Sequence, residues 1–273
     1  MRRLRNPRAY LIDVEGVLVR DKSYLPVPGS CEWFSSLTER GLARVLVSNN
    51  TTHTPEALAE DLVAAGFEVT VGDLVTVLDV GARLLLGWGR TTIQWLGSPL
   101  LSNWWRDRGF TIVEQGPCDA VVLGVNPDLE IAALDAALPA LLDHDAELVT
   151  LHRNLFWLDA AGQRRFGPGF YASALEQAAS REVVVVGKPK ERIYREALKR
   201  LGIEAEDAQF ISDDPVADLV TAKRLGMGTA FVLSGKYADH GVLAHMEQED
   251  WPDLIADRLA DLSLVADDTH EEN

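Results

Sequence analysis

The chain has 273 residues, of which 47% are hydrophobic, so it can bury a full core and has room for more than one domain. Acidic residues outnumber basic ones by 42 to 26, which gives a formal net charge of −16. A surface of this sign repels a polyphosphate backbone, so we expect no nucleic-acid partner, and any phosphate site must carry its own positive charge.

Three features of the sequence predict a soluble protein of the cytoplasm without a membrane partner. The basic start is followed by Asp13 and Glu15, which interrupt the apolar run that a signal peptide needs. The longest purely aliphatic run, Val183–Val186, is too short to span a bilayer. We expect Cys31 and Cys118 to be buried free thiols in a reducing compartment.

Short apolar runs alternate with segments of helical periodicity, which predicts a parallel sheet covered by helices, the α/β class. The first part of the chain supplies a strand at 10–12, a helix at about 29–40 and a strand at 44–47. A second helix begins with Thr54 as N-cap and Pro55 in its first turn, and it ends at Gly66.

The middle of the chain, about 72–180, has the pattern of a separate α/β block, with strands near 91–96, 120–125 and 147–151 and helices near 74–86, 98–108 and 129–142. After it come strands at 182–186, 208–211 and 229–233, separated by helices at 190–201 and 216–225. We therefore predict a doubly wound Rossmann-like core, residues 1–71 and 181–273, with an inserted α/β cap domain, residues 72–180. The polar tail, 267–273, is expected to fray.

Polar clusters directly follow predicted strands at four places: 13–17 (DVEGV), 48–50 (SNN), 187–189 (GKP) and 212–215 (SDDP). Ligands bind at the carboxyl ends of the strands in an open parallel sheet, so we expect the four clusters to converge.

The two acidic clusters suit chemistry at phosphorus. Asp13 on a tight turn can act as a nucleophile if a cation offsets charge repulsion, although an N-cap or turn residue would have the same sequence. Adjacent Asp213 and Asp214, with Asp218 one turn later, are costly unless a hard cation neutralises them. Ligand sets made only of oxygen suit Mg²⁺.

The other two clusters suit a phosphate group. Ser48, Asn49 and Asn50 offer a hydroxyl, amides and backbone N–H groups for phosphate oxygens, but the same residues occur in ordinary turns. Lys188 follows a run of four valines, and a lysine at a strand end can neutralise a phosphate. That position favours a functional role over that of a lone surface lysine.

A nucleophilic acid, a hydroxyl with amides, a lysine and an acid pair occur in this order, and the set resembles the haloacid dehalogenase-like (HAD) phosphatase superfamily. The insertion between the Ser48 cluster and Lys188 narrows the resemblance to capped subfamily IIA, which includes NagD, nitrophenylphosphatases and pyridoxal phosphate phosphatase. The segment 234–237 (SGKY) is similar to the branch of phospholysine phosphohistidine inorganic pyrophosphate phosphatase. The resemblance covers about residues 10–237.

The resemblance implies a Mg²⁺-dependent phosphatase that hydrolyses small phosphate monoesters through a phospho-aspartyl intermediate on Asp13. Mg²⁺ would be held by the Asp13 carboxylate, the backbone carbonyl of Glu15 and the Asp213 carboxylate. Asp214 and Asp218 would orient water molecules on the ion rather than touch it.

The resemblance also implies where substrate binds. One set of polar groups would hold phosphate oxygens: Ser48, Asn49, Asn50 and Lys188. The cap segment 152–157 would contribute specificity, with Trp157 beside Phe156 contacting the leaving group, while cap core and dimer contact are the alternatives for this pair. The expected partners are a small phosphorylated metabolite and a second copy of the chain, bound through the cap.

Two residues depart from the family pattern. Glu15 occupies the position of an aspartate that protonates the leaving oxygen and then activates water, work worth roughly 10²–10⁴-fold in rate. The two acids have similar intrinsic pKa values, but the extra methylene of glutamate displaces the carboxyl. Ser212 replaces the usual glycine and predicts a crowded loop. These departures leave open a phosphate or metabolite sensor with residual activity, and a phosphotransferase.

The Glu15 hypothesis predicts opposite effects for two substitutions. Glu15→Asp restores the spacing used in the family and should raise kcat, whereas Glu15→Gln cannot exchange the proton and should nearly stop turnover. Asp13→Asn removes the nucleophile and should abolish activity. The measurement is kcat for the four proteins on one aryl phosphate. A lower kcat for Glu15→Asp would mean that the site has re-formed around glutamate, and equal rates for wild type and Glu15→Gln would exclude an acid/base role.

Overall fold

The structure is a computed structural model that describes residues 7–20, 23–158 and 163–264, so the basic start and the polar tail lie outside the described residues. It divides into two compact units, each built from separate segments of the chain. The first unit comprises Met1–Val47, Asp61–Leu74 and Tyr194–Asn273, and the second comprises Ser48–Glu60 and Val75–Ile193.

The strands, numbered along the chain, are β1 (Ala9–Ile12), β2 (Val19–Arg20), β3 (Leu25–Pro26), β4 (Ala43–Ser48), β5 (Leu74–Thr76), β6 (Thr92–Leu96), β7 (Thr111–Ile112), β8 (Ala120–Leu123), β9 (Glu147–Thr150), β10 (Phe156–Leu158), β11 (Arg164–Phe166), β12 (Val184–Val185), β13 (Ala208–Ser212), β14 (Gly228–Val232) and β15 (Leu254–Ala256). The α-helices are α1 (Ser30–Glu39), α2 (Pro55–Ala64), α3 (Val77–Gly87), α4 (Ser102–Asp107), α5 (Ile131–Asp143), α6 (Pro168–Ala179), α7 (Glu191–Leu201) and α8 (Val220–Arg224).

One sheet has six strands in the order β15-β14-β13-β1-β4-β5. Strand β1 is buried along its whole length and pairs in parallel with β13 on one side and β4 on the other. Ile12 lies opposite Ile211 in β13, and the next N–H, that of Asp13, donates to the Ile211 carbonyl oxygen at 2.9 Å. Because β13 extends only one residue further than β1, to Ser212, the residues that follow the two strands emerge close together.

The second sheet has five parallel strands in the order β12-β9-β8-β6-β7. Helices α5 and α6 share a hydrophobic core with this sheet. Val121 and Leu148 from the strands belong to the same buried cluster as Leu141 of α5 and Leu175 of α6. The sheet and these two helices thus form a core of their own.

An aromatic cluster stabilises the other part of the second unit. Trp105 of α4 is fully buried, and its ring centroid lies 5.3 Å from Trp95, 5.1 Å from Trp104 and 5.0 Å from Phe110. Gly97 leaves room for the Trp95 indole, because a Cβ there would lie 2.0 Å from the ring.

The predicted α/β class with parallel sheets is confirmed. Helix α2 begins at Pro55 as predicted, and the Thr54 hydroxyl caps it by accepting the Ala57 N–H at 3.1 Å. Helix α6 was not predicted from the sequence, and neither was the break before α8. Residues 216–225 were predicted as one helix, whereas the chain forms a π-helical turn, Pro215–Leu219, before α8.

Two strands differ from the prediction. Residues 74–76, predicted as the start of a helix, form β5 in the six-stranded sheet, and α3 begins only after Thr76 caps it by accepting the Asp79 N–H at 3.2 Å. The valine strand predicted for the core is β12, which pairs with β9 in the five-stranded sheet. A short valine run has no local feature that identifies its partner strand. The division into domains at 72 and 181 stays a prediction.

Two further findings concern the state of the cysteine thiols and the possibility of a membrane-spanning helix. Cys31 and Cys118 are free thiols, as predicted, but only Cys118 is buried while Cys31 is half-buried. Among the residues described, no helix combines the length and apolar character needed to cross a membrane.

The aromatic cluster makes a prediction about stability. Trp105→Ala should lower the free energy of unfolding by about 3–5 kcal/mol, because it leaves a large cavity among rings that cannot fully collapse. Trp88→Ala is the control, since that side chain is 42% exposed and should change the value far less. Guanidinium chloride unfolding followed by far-UV circular dichroism measures both. Equal losses for the two variants would contradict this account of the core.

Candidate active site

The Asp13 turn begins where β1 ends. The Asp13 side chain is 7% exposed, and its Oδ1 accepts the Val14 N–H at 2.9 Å. Gly16 has a φ of 86°, a backbone conformation that favours glycine, and its N–H donates to the Val19 carbonyl oxygen at 2.8 Å. Glu15, between them, is half-buried. The turn therefore holds one carboxylate inside the protein and a second one partly exposed.

The Ser212 hydroxyl lies at the centre of the acidic cluster. It donates to Asp218 Oδ2 at 2.7 Å, lies 3.5 Å from Asp13 Oδ2 and accepts the Asp214 N–H at 3.1 Å. Ser212 is fully buried. The hydroxyl of Ser212 thus contacts carboxylates on both sides, while the crowding of this loop stays a prediction.

Asp214 begins the π-helical turn that follows β13. Its Oδ1 accepts the Ala217 N–H at 3.0 Å, and its carbonyl oxygen accepts the Asp218 N–H at 3.0 Å. This geometry turns Asp218 inward, where only 3% of it is exposed. Asp214 thus caps the turn that contains Asp218.

The loop after β14, residues 234–236, contacts the same cluster. Ser234 Oγ donates to the Gly16 carbonyl oxygen at 2.7 Å, while the Lys236 N–H donates to Asp213 Oδ2 at 2.6 Å. Lys236 Nζ is also 2.5 Å from Asp214 Oδ2. These residues were not among the predicted site residues. A Gly-Lys pair after a buried strand is the signal that singled out Lys188, and it could have identified this loop too.

Two pKa shifts report the electrostatics of the cluster. Burial, together with the charges of Asp218, Asp13 and Asp214, raises the pKa of Tyr194 well above its ordinary value, so the phenol stays protonated and donates to the Asp218 carbonyl oxygen at 2.9 Å. Burial alone would lower the pKa of Lys236, but its hydrogen bond to Asp214 and that residue's charge raise it above the ordinary value. Both shifts indicate a locally negative environment.

The donor set fits a hard cation that keeps part of its hydration shell. Asp13 and Asp213 are 7% and 8% exposed, and both are oxygen donors at the ends of neighbouring strands. Mg²⁺ is usually held by one or two carboxylates together with water. Within the described part of the chain no group of three or more His, Cys, Asp or Glu side chains is arranged to hold a metal, which a site of this kind does not require.

The remaining predicted polar residues lie in the second unit. Ser48 Oγ accepts the Asn50 N–H at 3.0 Å, and Asn50 Oδ1 accepts the N–H groups of Thr52 at 2.8 Å and His53 at 2.9 Å. These bonds fold the segment after β4 into a compact turn. In addition, the Asn49 side chain contacts the backbone of Lys188, which is 4% exposed.

The cap segment 152–157 contains the residues predicted to contact the leaving group. Phe156 is 57% exposed, and Trp157 is half-buried, with its indole N–H donating to the Phe166 carbonyl oxygen at 3.2 Å across the β10–β11 hairpin. His152 is buried, with Nε2 3.5 Å from Thr51 Oγ1. The two aromatic neighbours thus differ in environment, and the role of Trp157 in substrate binding stays a prediction.

The structure therefore brings one group of predicted residues together in the first unit: Asp13, Asp213, Asp214 and Asp218, with Ser212 among them. It brings Asn49 and Lys188 together in the second unit. The convergence of all four clusters on one ligand stays a prediction.

Comparison with known proteins finds two matching family models, one in each half of the chain. A family model described as haloacid dehalogenase-like hydrolase matches residues 10–111, and one described as HAD-hydrolase-like matches residues 185–262. The human haloacid dehalogenase-like hydrolase domain-containing protein 2 is 31% identical over 235 residues, which cover 84% of this chain and 85% of that protein.

Two solved structures are similar along most of the chain. The p-nitrophenyl phosphatase from Archaeoglobus fulgidus has a TM-score of 0.84 and 29% identity, covering 94% of this chain and 98% of that one. The glycerol phosphate phosphatase Rv1692 from Mycobacterium tuberculosis, in complex with magnesium, has a TM-score of 0.81 and 25% identity, covering 94% and 77%.

An α/β fold with a buried aspartate and an acid pair at neighbouring strand ends defines a hydrolase of the haloacid dehalogenase-like family, and the chain belongs to that family. Within it, the chain falls in subfamily IIA with NagD and the nitrophenylphosphatases. It is an enzyme of the phosphatase type.

The close packing of Gly235 against the Asp213 carboxylate leads to a prediction about substitution at residue 235. A Cβ on Gly235 would lie 2.0 Å from Asp213 Oδ2 and 2.5 Å from the Gly16 Cα, so Gly235→Ala must displace the carboxylate. We expect the Mg²⁺ concentration for half-maximal activity to rise about tenfold or more, the size of effect seen when a partner of a metal ligand is altered. Gly87→Ala is the control, because nothing lies within 4 Å of its added Cβ. Equal dependence of activity on Mg²⁺ in wild type and Gly235→Ala would contradict a role of the Asp213 carboxylate in holding a cation.

Proposed function

We propose that the protein hydrolyses small phosphate monoesters, with Mg²⁺, through a phospho-aspartyl intermediate on Asp13. The observation that carries this proposal is the Asp13 carboxylate, buried beside the acid cluster at the ends of β1 and β13. Membership of a family whose named relatives are phosphatases supports it.

In the proposed first step a carboxylate oxygen of Asp13 attacks phosphorus, and the bond from phosphorus to the ester oxygen breaks. Glu15 donates its proton to that oxygen, so the leaving group departs as an alcohol. In the second step water attacks the phosphorus of the phospho-aspartyl group, the bond from phosphorus to the Asp13 oxygen breaks, and Glu15 accepts a proton from the water. Inorganic phosphate leaves, and both carboxyl groups return to their starting states.

The chain's own residues would hold Mg²⁺ through the carboxylates of Asp13 and Asp213 and the backbone carbonyl of Glu15. When bound, the ion would offset the charge repulsion between an anionic nucleophile and a phosphate. Asp214 and Asp218 would orient water at the site. The glycerol phosphate phosphatase solved with magnesium supports this cofactor.

The proposed phosphate-binding groups are polar groups of the second unit: Ser48, Asn49, Asn50 and Lys188. Lys188 is buried, so its positive charge is screened little by solvent and would act strongly on a phosphate. A chain with a net charge of −16 needs such a local cation to bind an anionic substrate.

The proposed substrate is a small phosphorylated metabolite, with Trp157 contacting its leaving group. The negative surface supports the absence of a nucleic-acid partner. The proposal includes a cytoplasmic location, which the free thiols of Cys31 and Cys118 support, and a homodimer formed through the cap.

Asp213→Asn tests the proposed role of the cation. The amide keeps the size of the side chain but loses its charge, so Mg²⁺ binding measured by calorimetry should weaken sharply and aryl phosphate hydrolysis should fall with it. Asp239→Asn, at an exposed carboxylate outside the site, is the control. Full activity of the wild-type enzyme in excess chelator would refute Mg²⁺ dependence.

The same assay separates the alternatives left by the sequence. A sensor would bind phosphate but release no alcohol from a panel of phosphate monoesters. A phosphotransferase would form a new ester when an alcohol acceptor is added. Hydrolysis that is unaffected by acceptors would agree with the proposed phosphatase.

A further inference from the structure

The backbone of Lys188 has an unusual partner. Strand β12 continues its pairing with the neighbouring chain segment as far as Gly187, whose N–H donates to the Leu151 carbonyl oxygen at 2.8 Å. At Lys188 the partner changes to a side chain: the Lys188 N–H donates to Asn49 Oδ1 at 3.0 Å, and Asn49 Nδ2 donates to the Lys188 carbonyl oxygen at 3.1 Å. One amide side chain thus satisfies both backbone groups of the lysine.

A primary amide on a short side chain suits this pair of bonds, because its donor and acceptor are separate atoms. The amide presents a donor and an acceptor in one plane, as a neighbouring strand would, whereas a carboxylate has no donor. Gln offers the same groups but carries them one methylene farther from the backbone. The identity of residue 49 therefore matters for the backbone of Lys188.

Gly187 permits the contact. A Cβ at this position would lie 2.2 Å from Asn49 Oδ1 and 2.8 Å from the Leu151 carbonyl oxygen. Any side chain at 187 would push the amide away. The Gly187-Lys188 sequence is thus explained by the approach of Asn49, a requirement separate from the charge of the lysine.

We propose that the Asn49 side chain positions Lys188 and affects phosphate binding through the lysine backbone, so that only the backbone N–H of residue 49 serves as its own phosphate-binding group. This inference rests on the proposed function, because it takes Lys188 as a phosphate-binding group. The two hydrogen bonds hold the backbone from which the Lys188 side chain extends. They therefore limit backbone rotation that would carry the ammonium group away from the phosphate-binding position.

A double-mutant cycle tests this role. Calorimetry with inorganic phosphate in saturating Mg²⁺ gives the Kd of wild type, Asn49→Ala, Lys188→Ala and the double variant. We expect Asn49→Ala to raise the Kd about ten- to hundredfold, the size of effect seen at metal sites when a residue that orients a metal ligand is removed. Once Lys188 is alanine, removing Asn49 should have no further effect, because it acts through that side chain.

If the Asn49 side chain contacted phosphate itself, the increases in Kd caused by the two single substitutions would multiply in the double variant. This result would overturn the inference. Wild-type affinity in Asn49→Ala, or in Lys188→Ala, would also overturn it. A role in stability alone would lower the Tm and leave the Kd and the KM for an aryl phosphate unchanged, with the same consequence.

Two further variants keep the test decisive if Asn49→Ala does not fold. Asn49→Asp retains the acceptor for the Lys188 N–H but loses the donor, so it should still raise the phosphate Kd. Asn126→Asp is the matched control: among the described residues Asn126 acts as an acceptor, toward the Asp128 N–H at 3.0 Å, and a carboxylate preserves that bond. Equal Kd values for these two variants would count against the inference.

Failure of the proposed function gives a different result. A wild-type protein that binds inorganic phosphate but hydrolyses no phosphate monoester would refute the phosphatase proposal. The binding cycle between Asn49 and Lys188 would still decide whether the amide positions the lysine.

Discussion

The concentration of carboxylates at the ends of β1 and β13 is the constraint on which the first unit depends. The pairing of these parallel strands places Asp13 beside the acid pair. Carboxylates that lie close together in a poorly hydrated site repel each other strongly. Neighbouring groups limit this repulsion: Ser212 donates a hydrogen bond, and Lys236 supplies a positive charge. Gly16 and Gly235 leave the space that the Asp213 carboxylate occupies.

The sequence could predict the features that are determined by residues close together in the chain. Alternating apolar runs gave the α/β class, and the Thr54-Pro55 pair gave the start of α2, because a hydroxyl cap and a fixed φ act within one turn. The placement of Asp13 and Asp213 side by side also followed from local information, since each comes directly after a buried strand. The parallel pairing of β1 with β13 then brings the two residues to the same edge of the sheet.

Other features depend on partners that are distant in sequence, and no local pattern identifies them. The valines of β12 would suit either sheet, and only the packing of the whole second unit decides that they pair with β9. Asn49 has the sequence context of an ordinary turn, yet its side chain binds a backbone 139 residues away. Gly235 likewise needs no special φ, and its lack of a side chain is explained only by Asp213.

The distribution of tryptophan has a consequence for spectroscopy. Of the seven tryptophans, only Trp33 and Trp251 belong to the first unit, while Trp95, Trp104 and Trp105 lie close together in the second. Indoles at this spacing exchange excitation energy, and their emission responds to water entering the cluster. Intrinsic fluorescence of the intact enzyme is therefore chiefly a signal of the second unit, and a probe of the acid cluster needs a reporter placed elsewhere.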